Sequence, residues 1–295
     1  MTIPTVRTSE TRFDGLPGYA FLPHWLEWQG LRLHYLDEGA GPPVVLFHGE
    51  PTWSFLWRKV IPPIIAAGHR VIAPDYPGFG KSDKPTDPSF YTYDMHVEAM
   101  RALVEHLDLA DATAIVQDWG GPIGLRLAIE DSTRFRRLVI LNTGLFSGAP
   151  VSDGFLQWRS FVEQTPDLPI TRIMRSAAAT DWPDNVMAAY EAPFPTSEHK
   201  VGAHRFPLIV PVGADDPGAT EMRATREALT AWDEPVLVMF SDSDPIFHIG
   251  VGRTMAERIP GAGAFQIVEG AGHFLQEDKG DEVGTRIATF LAATS

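Results

Sequence analysis

The 295-residue chain contains no cysteine, so neither a disulfide framework nor a thiolate metal site can form. It also lacks any apolar stretch approaching the roughly 18 residues that a membrane-spanning helix requires. Basic side chains are few, with 24 Lys and Arg against 38 Asp and Glu and a formal net charge of −14. Such a surface repels phosphate backbones and anionic membranes. We therefore expect partners other than nucleic acids and membranes.

The opening residues MTIPTVRTSETRFDG lack the basic start and apolar run of a signal peptide. Together with the missing cysteines, this predicts a cytoplasmic protein. The ten histidines show no HExxH or similar ligand spacing, so we predict no metal and no cofactor. Hydrophobic residues make up 44% of the chain, which suffices for a sizeable core, and we expect a monomer.

Short apolar runs alternate with helical patterns, which indicates a mostly parallel sheet flanked by helices, an α/β fold. The predicted strands are residues 32–39, 42–49, 69–75, 112–117, 135–143, 235–244 and 264–273. The predicted helices are residues 52–68 (broken or kinked at Pro62 and Pro63), 92–107, 121–131, 219–232, 249–258 and 278–292.

This alternation stops after Asn142. From residue 144 to 213 no comparable apolar strand occurs, and Trp, Phe, Pro and short helical patterns dominate. We therefore predict a helical cap at 144–213, inserted into a core domain that consists of residues 1–143 and 214–295.

An aspartate stands where the strand 112–117 turns into the next helix. In the stretch VQDWGG, Asp118 is followed closely by Gly120 and Gly121, which resembles a nucleophile elbow, a sharp turn that presents a reactive side chain. Glycines suit such a turn because the helix passes close to the sheet. The alternative is that Asp118 only caps the following helix.

Two later stretches favour the catalytic interpretation. VEGAGHFLQED carries His273 after a predicted strand, and VMFSDSDP ends another strand with Asp244. The order nucleophile, acid, histidine is that of the α/β hydrolases. We predict His273 as the general base and Asp244 as the acid that orients it, with Asp242 as the alternative acid.

A carboxylate nucleophile changes the chemistry that can complete a catalytic cycle. Attack by a serine on a saturated carbon would give an ether, whereas attack by Asp118 gives an ester that water can hydrolyse. Hydrolysis requires donors for the tetrahedral oxyanion. The backbone N–H groups of Glu50, in FHGEPTWS, and of Trp119 are the predicted donors.

Five stretches together resemble the haloalkane dehalogenases. They are HGEPTWS (48–54), DYPGFGKSDKP (75–85), VQDWGG (116–121), GFLQW (154–158) and AGHFLQE (271–277). The resemblance spans nearly the whole chain. Glu50 and Trp158 resemble the subfamily that has an Asp-His-Asp triad and two halide-binding tryptophans.

The resemblance implies an α/β-hydrolase fold and cleavage of small halogenated alkanes by water into alcohol, halide and a proton. It assigns halide binding to Trp119 and Trp158, and the substrate pocket to Phe155 and Pro207. Indole N–H groups can solvate a departing halide without adding charge. The alternative for Trp158 is core packing within the cap, and Phe155 and Pro207 are equally well described as apolar cap residues.

Two other functions stay open at this point. An epoxide hydrolase would share the Asp nucleophile and His base, but it needs acids to protonate an alkoxide, usually a pair of cap tyrosines, and the cap contains only Tyr190. A binding protein could keep the fold without turnover, although it would have little need of a nucleophile, a base and a halide site together.

Overall fold

Eight strands form the central sheet in the order β10-β9-β8-β7-β4-β5-β3-β2. The computed structural model describes residues 3–294 except 147, 149, 150 and 152. In that part of the chain the strands are β1 (Thr5–Val6), β2 (His24–Trp28), β3 (Leu31–Gly39), β4 (Pro43–Phe47), β5 (Arg70–Pro74), β6 (Lys84–Pro85), β7 (Ala112–Gln117), β8 (Phe135–Leu141), β9 (Val236–Ser241) and β10 (Gln266–Val268). All pairings from β5 to β10 across the sheet are parallel, and β3 pairs antiparallel with β5 and β2.

The described residues also form helices. They are α1 (Ile61–Ala66), α2 (Tyr93–His106), α3 (Gly120–Glu130), α4 (Asp153–Glu163), α5 (Ile170–Ser176), α6 (Asp184–Glu191), α7 (Val201–Leu208), α8 (Ala219–Leu229), α9 (Ile249–Arg258), α10 (Leu275–Asp278) and α11 (Gly280–Ala293), with 3-10 helices at Glu10–Phe13, Ser54–Lys59, Pro88–Phe90 and Ser197–Lys200. Every residue of β7 and β9 is buried, as expected for parallel strands covered on both faces. The predicted α/β fold with a mostly parallel sheet is confirmed.

The chain between β8 and α8 is helical. Helices α4 to α7 lie there, and the described residues between 144 and 213 contain no strand. The predicted cap also included residues 147, 149, 150 and 152, which lie outside the described residues. Helix α4 packs against α7, and α5 packs against α6.

Several predicted elements were wrong in extent. Strand β2 was missed. It forms a hairpin with β3, and Gln29 and Gly30, which both have positive φ, form the tight turn between the two strands. The predicted helix 52–68 is a 3-10 helix followed by α1, because Pro62 and Pro63 lie in the first turn of α1, where proline is favoured.

The C-terminal elements also differ from the prediction. Strand β10 has three residues where ten were predicted, and the loop after it leads into α10 and then α11. No helix in the described part of the chain is long and apolar enough to cross a membrane.

Candidate active site

Asp118 lies in a strained turn between β7 and α3. Its φ of +51° is in the left-handed region that non-glycine residues adopt at a cost of about 1–3 kcal/mol. Two hydrogen bonds hold the backbone there: Asp118 N–H donates to the Asn142 carbonyl at 3.0 Å, and Thr143 Oγ1 donates to the Asp118 carbonyl at 2.6 Å. This turn conformation places the carboxylate at the carboxyl edge of the sheet, where open α/β sheets bind their ligands.

The glycines after Asp118 are required by close packing. A Cβ on Gly120 would overlap the Phe47 carbonyl oxygen in β4, and a Cβ on Gly121 would overlap Thr143 Oγ1. Helix α3 has no side-chain cap, so the alternative in which Asp118 caps it is wrong.

The Asp118 carboxylate is held from the loop after β4. Glu50 N–H donates to Asp118 Oδ1 at 2.8 Å. Gly49 permits this approach, because a Cβ there would overlap the carboxylate. Trp119, whose N–H is the other predicted donor, directly follows Asp118 in the chain. The predicted donor Glu50 is therefore within hydrogen-bonding distance of the predicted nucleophile.

His273 lies between two carboxylates and is buried. Its Nδ1 is 2.9 Å from Asp244 Oδ2, and its Nε2 is 3.6 Å from Asp118 Oδ2. Asp244 is fixed in turn, because its Oδ1 accepts hydrogen bonds from the backbone N–H groups of Ile246 and Phe247. The chain order predicted from sequence brings these three side chains together.

Asp242 makes different contacts. Its carboxylate accepts the Gly270 N–H at 3.0 Å and the Ser243 hydroxyl at 2.9 Å. The imidazole of His273 contacts Asp244 instead.

The electrostatics of His273 are dominated by these carboxylates. Burial alone would lower the pKa of His273, but the charges of Asp244 and Asp118 and the hydrogen bond to Asp244 outweigh it and raise the pKa to about 10. Loss of the charge on Asp118 would therefore lower the pKa of His273.

The side chain of Glu50 is also buried in this site. Burial and then the charge of Asp118 raise the pKa of the Glu50 carboxyl well above its ordinary value.

A mostly apolar cavity of about 320 Å³ opens above Asp118. This volume is at the small end of ligand sites. It is lined by Glu50, Asp118, Trp119, Pro122, Phe146, Gly154, Phe155, Trp158, Ile173, Ser176, Ala177, Pro207, Val210, Pro245, Ile246, Phe247, His273 and Phe274. All the predicted site residues except Asp244 thus line one cavity. Asp244 does not line it, but it contacts His273, which does.

The two tryptophans of interest reach this cavity from different elements. Trp119 is at the start of α3 and stacks on Phe206 with ring centroids 4.8 Å apart, whereas Trp158 lies on α4. Two other tryptophans use the indole N–H on protein partners: Trp53 donates to the Ala189 carbonyl, and Trp182 donates to a carboxylate oxygen of Asp278.

Tyr190, the one tyrosine of the predicted cap, is fully buried. Its hydroxyl donates to Glu277 Oε2 at 2.7 Å, and it is not among the residues that line the cavity. It is thus unsuited to protonate a departing alkoxide.

Sequence reasoning missed two buried amides beside His273. Gln117 Nε2 donates to the His273 carbonyl at 3.2 Å and lies 3.2 Å from its Nε2. Asn142 Nδ2 donates to the carbonyls of Gly272 and His273, both at 3.1 Å. Gln117 is the last residue of the apolar strand β7, and Asn142 directly follows the apolar strand β8. This position at the carboxyl edge of the sheet could have identified both amides.

Comparisons with known proteins identify the family of the chain. A family model described as the alpha/beta hydrolase fold matches residues 42–280. A haloalkane dehalogenase of Psychrobacter cryohalolentis is 45% identical, with 97% of each chain covered. Haloalkane dehalogenase 1 of Mycobacterium bovis is 46% identical, covering 98% of this chain and 99% of its own.

A solved structure extends the likeness to three dimensions. The haloalkane dehalogenase DpaA from Paraglaciecola agarilytica NO2, described as tetrameric, superposes with a TM-score of 0.92 at 35% identity, covering 96% of this chain and 97% of its own. Sheet order and family model together define an α/β hydrolase. With relatives this similar along nearly the whole chain, the protein belongs to the haloalkane dehalogenases. The epoxide hydrolase alternative is not favoured.

Proposed function

We propose that the chain cleaves the carbon–halogen bond of small haloalkanes in two steps at Asp118, giving an alcohol, a halide ion and a proton. The observation that carries the proposal is the Asp118 carboxylate itself. It is held at the elbow by Glu50 N–H, lies 3.6 Å from His273 and lines a small, mostly apolar cavity.

In the first step Asp118 Oδ2 attacks the halogen-bearing carbon. Oδ1 already accepts the Glu50 N–H, so Oδ2 is the oxygen left to form the new C–O bond. The C–halogen bond breaks, and its electron pair leaves with the halide. Trp119 and Trp158 donate their indole N–H groups to the departing ion, because an apolar wall alone could not solvate its charge.

In the second step His273 activates a water molecule. Water attacks the ester carbonyl carbon of Asp118 while His273 Nε2 takes one of its protons, and Asp244 holds the imidazole through Nδ1. The negative charge develops on Asp118 Oδ1, where the N–H groups of Glu50 and Trp119 stabilise it. The tetrahedral intermediate then collapses: the bond between the carbonyl carbon and Oδ2 breaks, and the alcohol leaves with Oδ2 and the proton held by His273. The regenerated Asp118 carboxyl group loses the other water proton to solvent. Esterification removes the charge of Asp118, which lowers the pKa of His273 and favours the basic imidazole at the stage that needs it.

We further propose that residues 144–213 act as a cap over a core domain of residues 1–143 and 214–295. Residues Phe155, Trp158 and Pro207 of this segment line the same cavity as Asp118, which supports their assignment to the substrate pocket. The proposed chemistry uses residues of one chain only and requires no second copy. Because the DpaA neighbour is tetrameric, light scattering of the purified protein is the test of the predicted monomer.

Bromide release is the direct test of this function. The purified protein should release bromide and the matching alcohol from 1-bromobutane and 1,2-dibromoethane over many turnovers. Conversion of an epoxide to a diol without bromide release would favour an epoxide hydrolase instead. Binding of the bromoalkanes without any product would indicate a binding protein.

Replacing Trp158 with phenylalanine should weaken halide binding. One hydrogen bond to a charged group contributes about 1.5–3 kcal/mol, so we expect the bromide dissociation constant to rise roughly 10- to 100-fold. Bromide quenching of tryptophan fluorescence, with Trp119 as the remaining reporter, and product inhibition by bromide both measure this. Trp25→Phe on edge strand β2 is the matched control. An unchanged bromide affinity in Trp158→Phe would indicate that Trp158 packs within the cap and does not bind halide.

A further inference from the structure

Asp278, the last residue of α10, accepts five hydrogen bonds. Four come from the loop between α5 and α6: Ala179 N–H at 3.1 Å, Thr180 N–H at 3.2 Å, the Thr180 hydroxyl, and Trp182 Nε1 at 2.8 Å. The fifth comes from Gly272 N–H at 2.8 Å. Gly272 directly precedes His273, so one carboxylate joins the α5–α6 loop to the histidine loop.

The two loops also touch directly. His273 N–H donates to the Ala177 carbonyl at 2.9 Å. A Cβ on Gly272 would overlap that same carbonyl oxygen, so the histidine loop can approach only because residue 272 is glycine. Ser176 and Ala177 line the cavity at the end of α5. The wall of the cavity and the backbone of His273 are therefore held as one unit.

We propose that Asp278 is a positioning residue that sets the orientation of His273 for ester hydrolysis by fixing its loop against the α5–α6 loop. The proposal rests on the assigned role of His273 as base. A general base must lie within hydrogen-bonding reach of the attacking water, and a displacement of about 1 Å can cost on the order of 100-fold in rate. Displacement of halide by Asp118 uses no base, so Asp278 should affect the second step alone.

The residue before Asp278 holds α10 in place, so the role of Asp278 can be distinguished from a general effect on stability. Glu277, also in α10, accepts a hydrogen bond from Nη2 of the buried Arg58 at 2.7 Å and one from the Tyr190 hydroxyl on α6. Lys59 also lies 2.7 Å from its carboxylate. These contacts anchor α10 to the core and to α6 without Asp278. Loss of the Asp278 carboxylate should therefore loosen the histidine loop while α10 stays in place.

The test is Asp278→Asn with Asp281→Asn as matched control. Asp281 lies exposed in the first turn of α11, so both substitutions remove one negative charge near the same helix start. Rapid-quench kinetics with 1-bromobutane measure the first bromide equivalent, and intact mass measures the alkylated enzyme. In Asp278→Asn we expect ester hydrolysis to slow about 10-fold, with the bromide burst unchanged within about two-fold and alkylated enzyme accumulating.

Steady-state constants give an independent readout. When ester hydrolysis alone slows, kcat and KM fall together and kcat/KM stays constant. A general structural defect lowers kcat/KM as well. Equal losses in both steps, or an Asp278→Asn variant that matches Asp281→Asn in hydrolysis rate, would overturn the proposal.

A second variant applies if Asp278→Asn does not fold. Trp182→Phe removes one of the five hydrogen bonds but keeps an aromatic ring against Phe274, whose centroid is 5.9 Å away. It should slow ester hydrolysis in the same direction by a smaller factor, and unchanged hydrolysis would contradict the proposal. Failure of the proposed function would look different, because the unsubstituted protein would then release no bromide or form no alkylated intermediate.

Discussion

Replacing His273 with phenylalanine should give a protein that releases one equivalent of bromide and then stops as a stable alkyl ester. The halide-releasing step uses the Asp118 carboxylate and the two halide-binding tryptophans but no general base, so it should survive. Hydrolysis of the ester loses its general base, which contributes typically 10²- to 10⁴-fold. Phenylalanine also keeps an aromatic ring next to Phe247 and Phe274, which flank His273.

Intact mass spectrometry after mixing with 1-bromobutane should find one butyl group on the whole population, and peptide mapping should assign it to Asp118. His248→Phe is the matched control, because His248 is exposed and does not line the cavity. That control should turn over without accumulating adduct. Continued multiple turnover by His273→Phe at the unsubstituted rate would refute the assigned base.

Replacing Asp118 with asparagine should abolish bromide release altogether. A neutral amide is a poor nucleophile for saturated carbon, and loss of a nucleophile of this kind costs on the order of 10⁴-fold or more. The same change should lower the pKa of His273, because Asp118 is one of the two carboxylates that raise it. An NMR titration of the His273 ring would detect this shift even though the variant is inactive.

The matched control for Asp118→Asn is Asp242→Asn. Asp242 bonds to Gly270 and Ser243, so its substitution should leave bromide release largely intact. Freshly purified Asp118→Asn protein must be checked by mass, because deamidation would regenerate aspartate. Rapid bromide release by protein that still carries asparagine would show that Asp118 is not the nucleophile.

The parts of the site that are local in sequence could be predicted. Strand β7 is apolar throughout, so its end at Gln117 and the turn at Asp118 stand out from the printed sequence. His273 and Asp244 follow strands that end at the same edge of the sheet, and parallel strands bring such ends together. The donor at Glu50 follows from the buried strand β4 in the same way.

Long-range packing could not be predicted. The contact of Asp278 with Trp182 joins residues 96 positions apart, and no periodicity in either segment signals it. The cavity wall formed by Ile173 and Ala177 depends on how α5 docks against the histidine loop. Strand β2 was missed because its run HWLEW is short and half-polar, and only its pairing with β3 makes it a strand.

Asp118 forms a covalent ester in the proposed mechanism, and water attacks this ester at the carboxyl carbon. A single turnover of excess enzyme with 1-bromobutane in ¹⁸O-labelled water distinguishes this route from direct displacement by water. We expect ¹⁸O in the carboxylate of Asp118 and butanol that carries unlabelled oxygen from that carboxylate. Labelled butanol with an unlabelled Asp118 would mean that water displaces the halide directly and that no aspartyl ester forms.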